Sequence, residues 1–384
     1  MRQWVRRISV WGKSLPAGGG RLSALVCVSA TLAAVASGAP VHASGDGVDP
    51  ADASVVFEHP LTLVTLYDYA LVETAARSGG EARTVSLQEL AERAADSDVV
   101  FVGELHGHNG VHLAQAELAG ALAQHGVALT LSFEQFTRDV QPVLDAYLAG
   151  EMGEAAFIEQ SRAWDSYRSD YRPLVELAKE RGLPAIAANA PRALVRCVGQ
   201  EGPAFLKEVP DRFKPFVASA LDLSDSPYRR RFLETAAHGE APEDPGAPSE
   251  AALRRYAAQV TWDATMAESI AAHLRDHSDR TVMHVNGRFH SAGFLGTVER
   301  LERLAPARAT LVITTHVVDD TDGLAADPVR LTKSDLDAGD YLLLVKAPPK
   351  RYLPAEMQAA HDDLRRRMSE RPSVGCPPED LDPK

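Results

Sequence analysis

Two short stretches of this sequence share one spacing of glycine and histidine. Gly103-Glu104-Leu105-His106 and Gly287-Arg288-Phe289-His290 each place an imidazole three residues after a glycine, and each follows an apolar run. Glu134 closes another such run, and Asn189 a third. These residue types suit more than one chemistry. His106, Glu134 and His290 are suitable ligands for a first-row divalent metal, with water completing the shell. A hydrolase built on them would use Glu104 as general base for a bound water. A haem site asks for something different: one axial His or Tyr, an apolar slot, and cations for the propionates. Phe136, Trp164, Tyr167 and Tyr171 offer the slot, while Arg192 and Arg196 offer the cations.

Each residue also has a plainer role. Glu104 and Glu134 would be favoured at the starts of following helices, where negative charge meets the helix dipole. Trp164 and Tyr171 suit core or lid packing, and Arg192 suits neutralising a nearby carboxylate. His108 and His112 stand two and four residues after His106, which fits either a small metal cluster or exposed histidines at a helix start. His284 alternates with Val285 inside a strand and reads as a core histidine. Trp262 reads as core, and Asp263 beside it is placed to orient a histidine.

The elements that must position these groups are legible from hydrophobic pattern. Residues 98–103, 127–133, 184–188, 280–285 and 309–314 are short apolar runs that read as strands buried on both faces. Residues 61–67 read as a first strand. Between the strands lie helical patterns: a short helix capped by Ser86, and one opening at Asn109 with Val111, Gln115, Leu118, Leu122 and His125 along one stripe. Further helices span 171–181, stopped by Gly182, then 250–277 and 293–304. Alternating strands and helices define an α/β protein, an open, mostly parallel sheet flanked by helices. Ligands of such sheets bind outside the carboxyl ends of the strands. Glu104, His106, Glu134, Asn189 and His290 all fall there.

Residues 1–43 read as a signal peptide: a cationic front with Arg2, Arg6, Arg7, Lys13 and Arg21, an apolar run, and a small-residue cleavage site at Val41-His42-Ala43. The mature chain is then periplasmic or extracellular. The leader holds five cations and no carboxylate, so its removal takes the net charge from −13 to −18. That disfavours nucleic acid as a partner, since phosphate neutralisation needs clustered cations. Residues 44–60 read as a linker and 61–315 as the α/β domain. Within it, 202–251 is a helical insertion whose acidic, Pro-rich part (239–248) reads as a mobile loop. Residues 316–384 read as a C-terminal extension with an edge strand (341–345), a helix (354–368) and a disordered end. Cys197 and Cys376 either pair or leave Cys197 a free buried thiol. No Lys-Ser or Lys-Thr follows the 103–110 loop, and no Gly-x-Ser-x-Gly is present, so neither a phosphate loop nor a serine-hydrolase elbow is supported.

Five segments in order, VVFVGELHGHNGVH, LSFEQFTRDVQPVLDAYLAG, YRPLVELAKERGLPAIAANAPRALVR, AAQVTWDATMAESIAAHL and HVNGRFHSAGFLGTVERL, resemble the ChaN-type haem-binding uptake family of the Tiki superfamily. The resemblance covers about three-fifths of the chain, 86–314. It implies haem as cofactor, held at a homodimer interface, and membrane uptake machinery as partner. The wider superfamily implies the alternative of a metal-dependent peptidase or esterase. Its paired Gly-x-x-His motifs match His106 and His290, and its acidic partners match Glu104 and Glu134. Three functions follow as expectations: a haem or iron handler, a metal-dependent hydrolase acting on a small-molecule or peptide ligand, or an interaction module with a vestigial site.

Overall fold

The computed structural model describes residues 55–237, 248–318, 328–369 and 375–381. Among these residues the strands are β1 (Val55–Pro60), β2 (Tyr69–Glu73), β3 (Arg83–Val85), β4 (Val99–Glu104), β5 (Leu129–Thr137), β6 (Ala185–Asn189), β7 (Thr281–Gly287), β8 (Thr310–Val318), β9 (Pro328–Thr332) and β10 (Tyr341–Lys346). Eight of them make one sheet, in the order β3-β2-β10-β8-β4-β7-β5-β6. From β10 through to β6 every pairing is parallel, while β2 runs antiparallel to both β10 and β3. β1 and β9 pair separately as an antiparallel ribbon.

The five apolar runs become β4 to β8 because each face of the sheet is covered. Val99 and Phe101 of β4 pack on one side with Met266, Ile270 and Leu274 of the long helix Glu250–Asp276. Val100 and Val102 point the other way, onto Leu118 and Leu122 of helix Asn109–Gln124 and Leu174 of helix Arg172–Arg181. Side chains that alternate between two dry faces are mostly apolar, and the polar ones among them, such as Ser132 and His284, bond to each other. Local signals hold at the boundaries. Ser86 accepts from Glu89 N in a reciprocal capping box, and Gly182, at φ 63°, ends its helix in the left-handed region.

Several expectations are corrected. Residues 61–67 form no strand: the Asp68 carboxylate accepts from Val64 N and Thr65 N, both at 2.7 Å, and folds the segment into a loop. The first strand of the main sheet is β2. Residues 55–60, read as linker, form β1 against β9. β10 is not an edge strand but lies between β2 and β8. Its run Tyr341 to Val345 is buried throughout, and such a run needs neighbours and cover on both sides. The proposed leader, the rest of the linker and nearly all of 239–248 fall outside the described residues.

Cys197, on helix Arg192–Glu201, is joined to Cys376 by a disulfide. Cys376 and Leu381 pack against the same apolar cluster as Leu194 and Val198. Residues 375–381, read as a disordered end, are therefore anchored. Cys197→Ser or Cys376→Ser is expected to lower the unfolding free energy by roughly 2–4 kcal/mol. Denaturant midpoints measured with and without reductant check this; an unchanged midpoint would show that the cross-link contributes nothing.

Candidate functional site

β4 and β7 are parallel neighbours with Gly103 opposite Asn286 and Glu104 opposite Gly287. The two Gly-x-x-His segments therefore leave the sheet side by side. β5 flanks β7 on its other side, with Phe133 opposite Val285, which sets Glu134 next to them. Gly287 N donates to Glu134 Oε2 at 2.6 Å. The glycines are required for space rather than for a turn, because neither has positive φ. A Cβ on Gly287 would lie 2.8 Å from His106 Nε2, and one on Gly103 would lie 2.7 Å from Ser291 Oγ and 3.0 Å from Arg288 Cα. Each motif's glycine makes room for the other motif.

Two carboxylate–imidazole pairs result. His106 Nδ1 meets Glu104 Oε1 at 2.6 Å, and His290 Nδ1 meets Asp263 Oδ1 at 2.7 Å. Asp263 comes from the long helix and also accepts from Tyr228 OH (2.5 Å) and Thr297 Oγ1 (3.0 Å). Glu134 stands between the pairs, its Oε1 3.5 Å from His290 Nε2. Burial opposes ionisation of Glu104, but the hydrogen bond from His106 and the charges of His106 and His112 outweigh it and hold the carboxyl at about 2. For His106, burial opposes the charge, yet the hydrogen bond to Glu104 and the charges of Glu104, Glu134 and Asp170 raise it to about 9. Burial likewise opposes charge on both partners of the second pair, and is outweighed: Glu134 and Asp263 raise His290, and His290 lowers Asp263.

Glu104, the expected general base, is enclosed by donors and closed off from solvent. Besides His106 its Oε1 accepts from Tyr171 OH (2.6 Å) and Gln135 Nε2 (3.2 Å), its Oε2 accepts from Gln115 Nε2 (2.7 Å), and it is fully buried. It orients His106. Trp164 and Tyr171 do line the site: Trp164 sits edge-on to His106 at 5.2 Å and to Tyr171 at 5.9 Å. Asn189 fastens backbone instead, donating to Glu134 O at 3.0 Å and accepting from Ala190 N at 2.8 Å. Arg192 is exposed at the first turn of its helix and Arg196 is half-buried one turn on. Phe136 and Tyr167 belong to the core around Phe157.

His108 and His112 do not form a metal cluster. His108 Nε2 meets Lys346 O at 2.9 Å, whereas His112 Nδ1 meets Gln115 Oε1 at 2.9 Å. His284 is a core histidine held by Ser132 Oγ at 2.9 Å, and burial pushes it down to about 3. The sequence reading missed Gln135, Tyr228 and Asp170, and gave Gln115 no role. For Gln115 the signal was there, a polar residue inside an apolar helical stripe.

The cluster fits the two cofactors differently. Among the described residues no three His, Cys, Asp or Glu side chains are grouped to hold a metal ion. His106, Glu134 and His290 do meet, and each imidazole spends Nδ1 on a carboxylate, which leaves Nε2 as the atom a divalent metal would take. For haem iron His106 is the part-open imidazole of the cluster, since His290 is buried and the Tyr171 hydroxyl is committed to Glu104.

Fold and site together define a parallel-sheet α/β protein with two carboxylate–imidazole pairs converging on a third carboxylate at the strand ends. The chain belongs to the haem-binding uptake family of the Tiki superfamily, ChaN type, whose model matches residues 90–301. It is similar to ChaN of Campylobacter jejuni, a structure described by its cofacial haem binding, at 14% identity over 73% of this chain and 98% of that one, with a TM-score of 0.54; this likeness is one of fold. More distant likenesses are to the erythromycin esterase EreC (12% identity, 74% and 99% covered, TM-score 0.43) and the type III effector HopBA1 (14%, 68% and 92%, TM-score 0.37). No curated protein matches the chain. Among the described residues no helix is long and apolar enough to cross a membrane.

Two outcomes are expected. Gly287→Ala drives the new methyl into His106 and destabilises the fold by roughly 1–3 kcal/mol, and imidazole titration followed by NMR shows His106 losing its raised pKa. The His106 pKa is raised on folding, so the stability it contributes is fully present below about 6.5 and is lost as pH rises through about 9. Between those values the wild-type Tm falls more steeply than that of His106→Gln; parallel curves would remove the coupling.

Proposed function

We propose that the protein binds haem and handles it for iron uptake outside the cytoplasm. Family membership over residues 90–301 is the observation that carries this reading. The Cys197–Cys376 disulfide supports an oxidising compartment, as does the leader-like sequence at the start of the chain. Haem bound between two copies, or elsewhere on the chain, is compatible with a strand-end cluster in which the His106 imidazole is part-open. Haemin titration of the mature protein is expected to give a saturable Soret change, and cell fractionation is expected to find the chain outside the cytoplasm. A spectrum matching free haemin at every ratio would sink the haem reading.

The geometry favours a second reading at the strand ends, acid–base hydrolysis of an ester or peptide. Its specific support is the placement of Glu134 between two imidazoles that are each oriented from behind by a buried carboxylate. Glu134 would take the proton of an attacking water, and protonated His106 or His290 would give one to the leaving group. Glu104 and Asp263 would keep Nδ1 of each ring protonated and its Nε2 aimed inward. Glu134→Gln is expected to lower kcat by roughly 10²–10⁴-fold with little change in Tm. Turnover of ester and peptide substrates, measured with and without chelator, checks this and tells whether a divalent metal takes part. Equal rates for wild type and Glu134→Gln would overturn it.

A further inference from the structure

The two Gly-x-x-His segments are held in different ways. In the first the support is local: Glu104 stands two residues before His106, Gly107 N donates to His112 Nε2 at 3.1 Å, and His108 N donates to Leu105 O at 3.1 Å. The second runs on through two short helical turns, Arg288–His290 and Ala292–Phe294, and Phe294 sits at φ 60°, in the left-handed region. A residue with a side chain stays in that region only where its surroundings hold the backbone there. Part of the hold comes from helix Pro227–Ala237, which supplies two residues one turn apart. Tyr228 donates at 2.5 Å to Asp263 Oδ2, the oxygen that His290 leaves free. Arg231 donates from Nη2 to Phe289 O and from Nη1 to Ala292 O, both at 2.7 Å.

The Arg231 fork thus bridges the residue before His290 and the second residue after it. Its guanidinium stands 4.7 Å from the centre of the Phe289 ring and 5.4 Å from that of Tyr228, and the Phe289 and Tyr228 rings lie 5.5 Å apart. A planar guanidinium presents several donors in one fixed geometry, so it can fix two carbonyls at once in a way that a single ammonium nitrogen does not. Asp263 sets the direction of the His290 ring, but the backbone that carries the ring is fastened separately, and Arg231 is the side chain that donates to it on both sides.

We infer that Arg231 is a positioning residue for His290: by clamping the carbonyls of Phe289 and Ala292 it fixes the backbone from which the imidazole reaches towards Glu134. This deepens the hydrolytic reading and rests on it for the claim that His290 acts on a bond. Arg231 works through the loop, and the groups that move protons remain Glu134 and the two imidazoles.

The test uses the whole mature protein with two readouts: the imidazole NMR signals of His290 and His106 at one fixed pH, and kcat and KM for p-nitrophenyl acetate. Arg231→Met keeps much of the side-chain length and removes every donor. It is expected to shift or split the His290 signal, leave that of His106 in place, and lower kcat roughly 10–100-fold with KM little changed. Arg231→Lys keeps the charge and one nitrogen, and is expected to fall between Arg231→Met and wild type in both readouts. Leu221→Ala removes an apolar side chain from the cluster around Tyr228 and Tyr256 without touching either carbonyl, and is expected to lower Tm while kcat and the His290 signal stay as in wild type. An unchanged His290 signal in folded Arg231→Met overturns the inference, whether or not the ester is turned over. So does a loss of kcat in Leu221→Ala as large as that in Arg231→Met, because loosening the cluster would then suffice. Should Arg231→Met fail to fold, Arg231→Lys decides, and a signal and kcat equal to wild type overturn the inference. If turnover depends on Glu134 but folded Arg231→Met keeps its kcat, the inference falls and the hydrolytic reading stands. A displaced His290 signal in a protein without turnover supports the clamp and removes the hydrolytic reading.

Discussion

The architecture of the site depends on how closely β4 and β7 approach at their carboxyl ends. Glu104 is opposite Gly287 and Gly103 is opposite Asn286, and at both glycines an added methyl would meet the opposing motif at under 3 Å. With that spacing, His106 lies over the end of β7 and Ser291 over the end of β4. Any side chain at either glycine would part the strands or expel the histidine. The paired motif is one packing unit contributed by two distant parts of the chain.

That unit forces charged groups into the protein interior, which is costly unless every charge is answered. The answer here is dense. Glu104 receives four donors, from β4's own loop, from helix Asn109–Gln124, from β5 and from Tyr171. Asp263 receives three, from His290, Tyr228 and Thr297. Both carboxylates are fully buried, yet both are held ionised because these partners outweigh burial. Their effect passes outward: each raises the imidazole in front of it, and Glu134 meets both fields. The interior sides of the two pairs are satisfied.

The same sheet explains why family and site must be argued separately. A parallel sheet with strand-end loops offers one rim to many chemistries, and the family match describes a haem-binding lineage while the rim of this chain carries two carboxylate–imidazole pairs beside Glu134. The disulfide adds a third element, fastening residues 375–381 to the helix that starts beside Asn189. It ties the end of the chain to the shell of the domain without entering the cluster.

From the sequence alone one can read the α/β class, the five buried strands β4 to β8, the helix stops, and the placement of His106, Glu134 and His290 at one rim. These follow from local rules: apolar runs too short for helices, glycine and serine at boundaries, and the concentration of charged groups where a doubly covered strand ends. The partner of each polar atom was decided by tertiary structure. That Glu104 supports rather than reacts, that Asp263 stands behind His290, that β10 sits inside the sheet, and that Cys197 finds Cys376 all depend on register and packing between segments more than a hundred residues apart or on different elements. Hydrogen bonding is directional and short-ranged, so a pattern of residue types shows which groups want partners, and only the folded chain determines which partners they get.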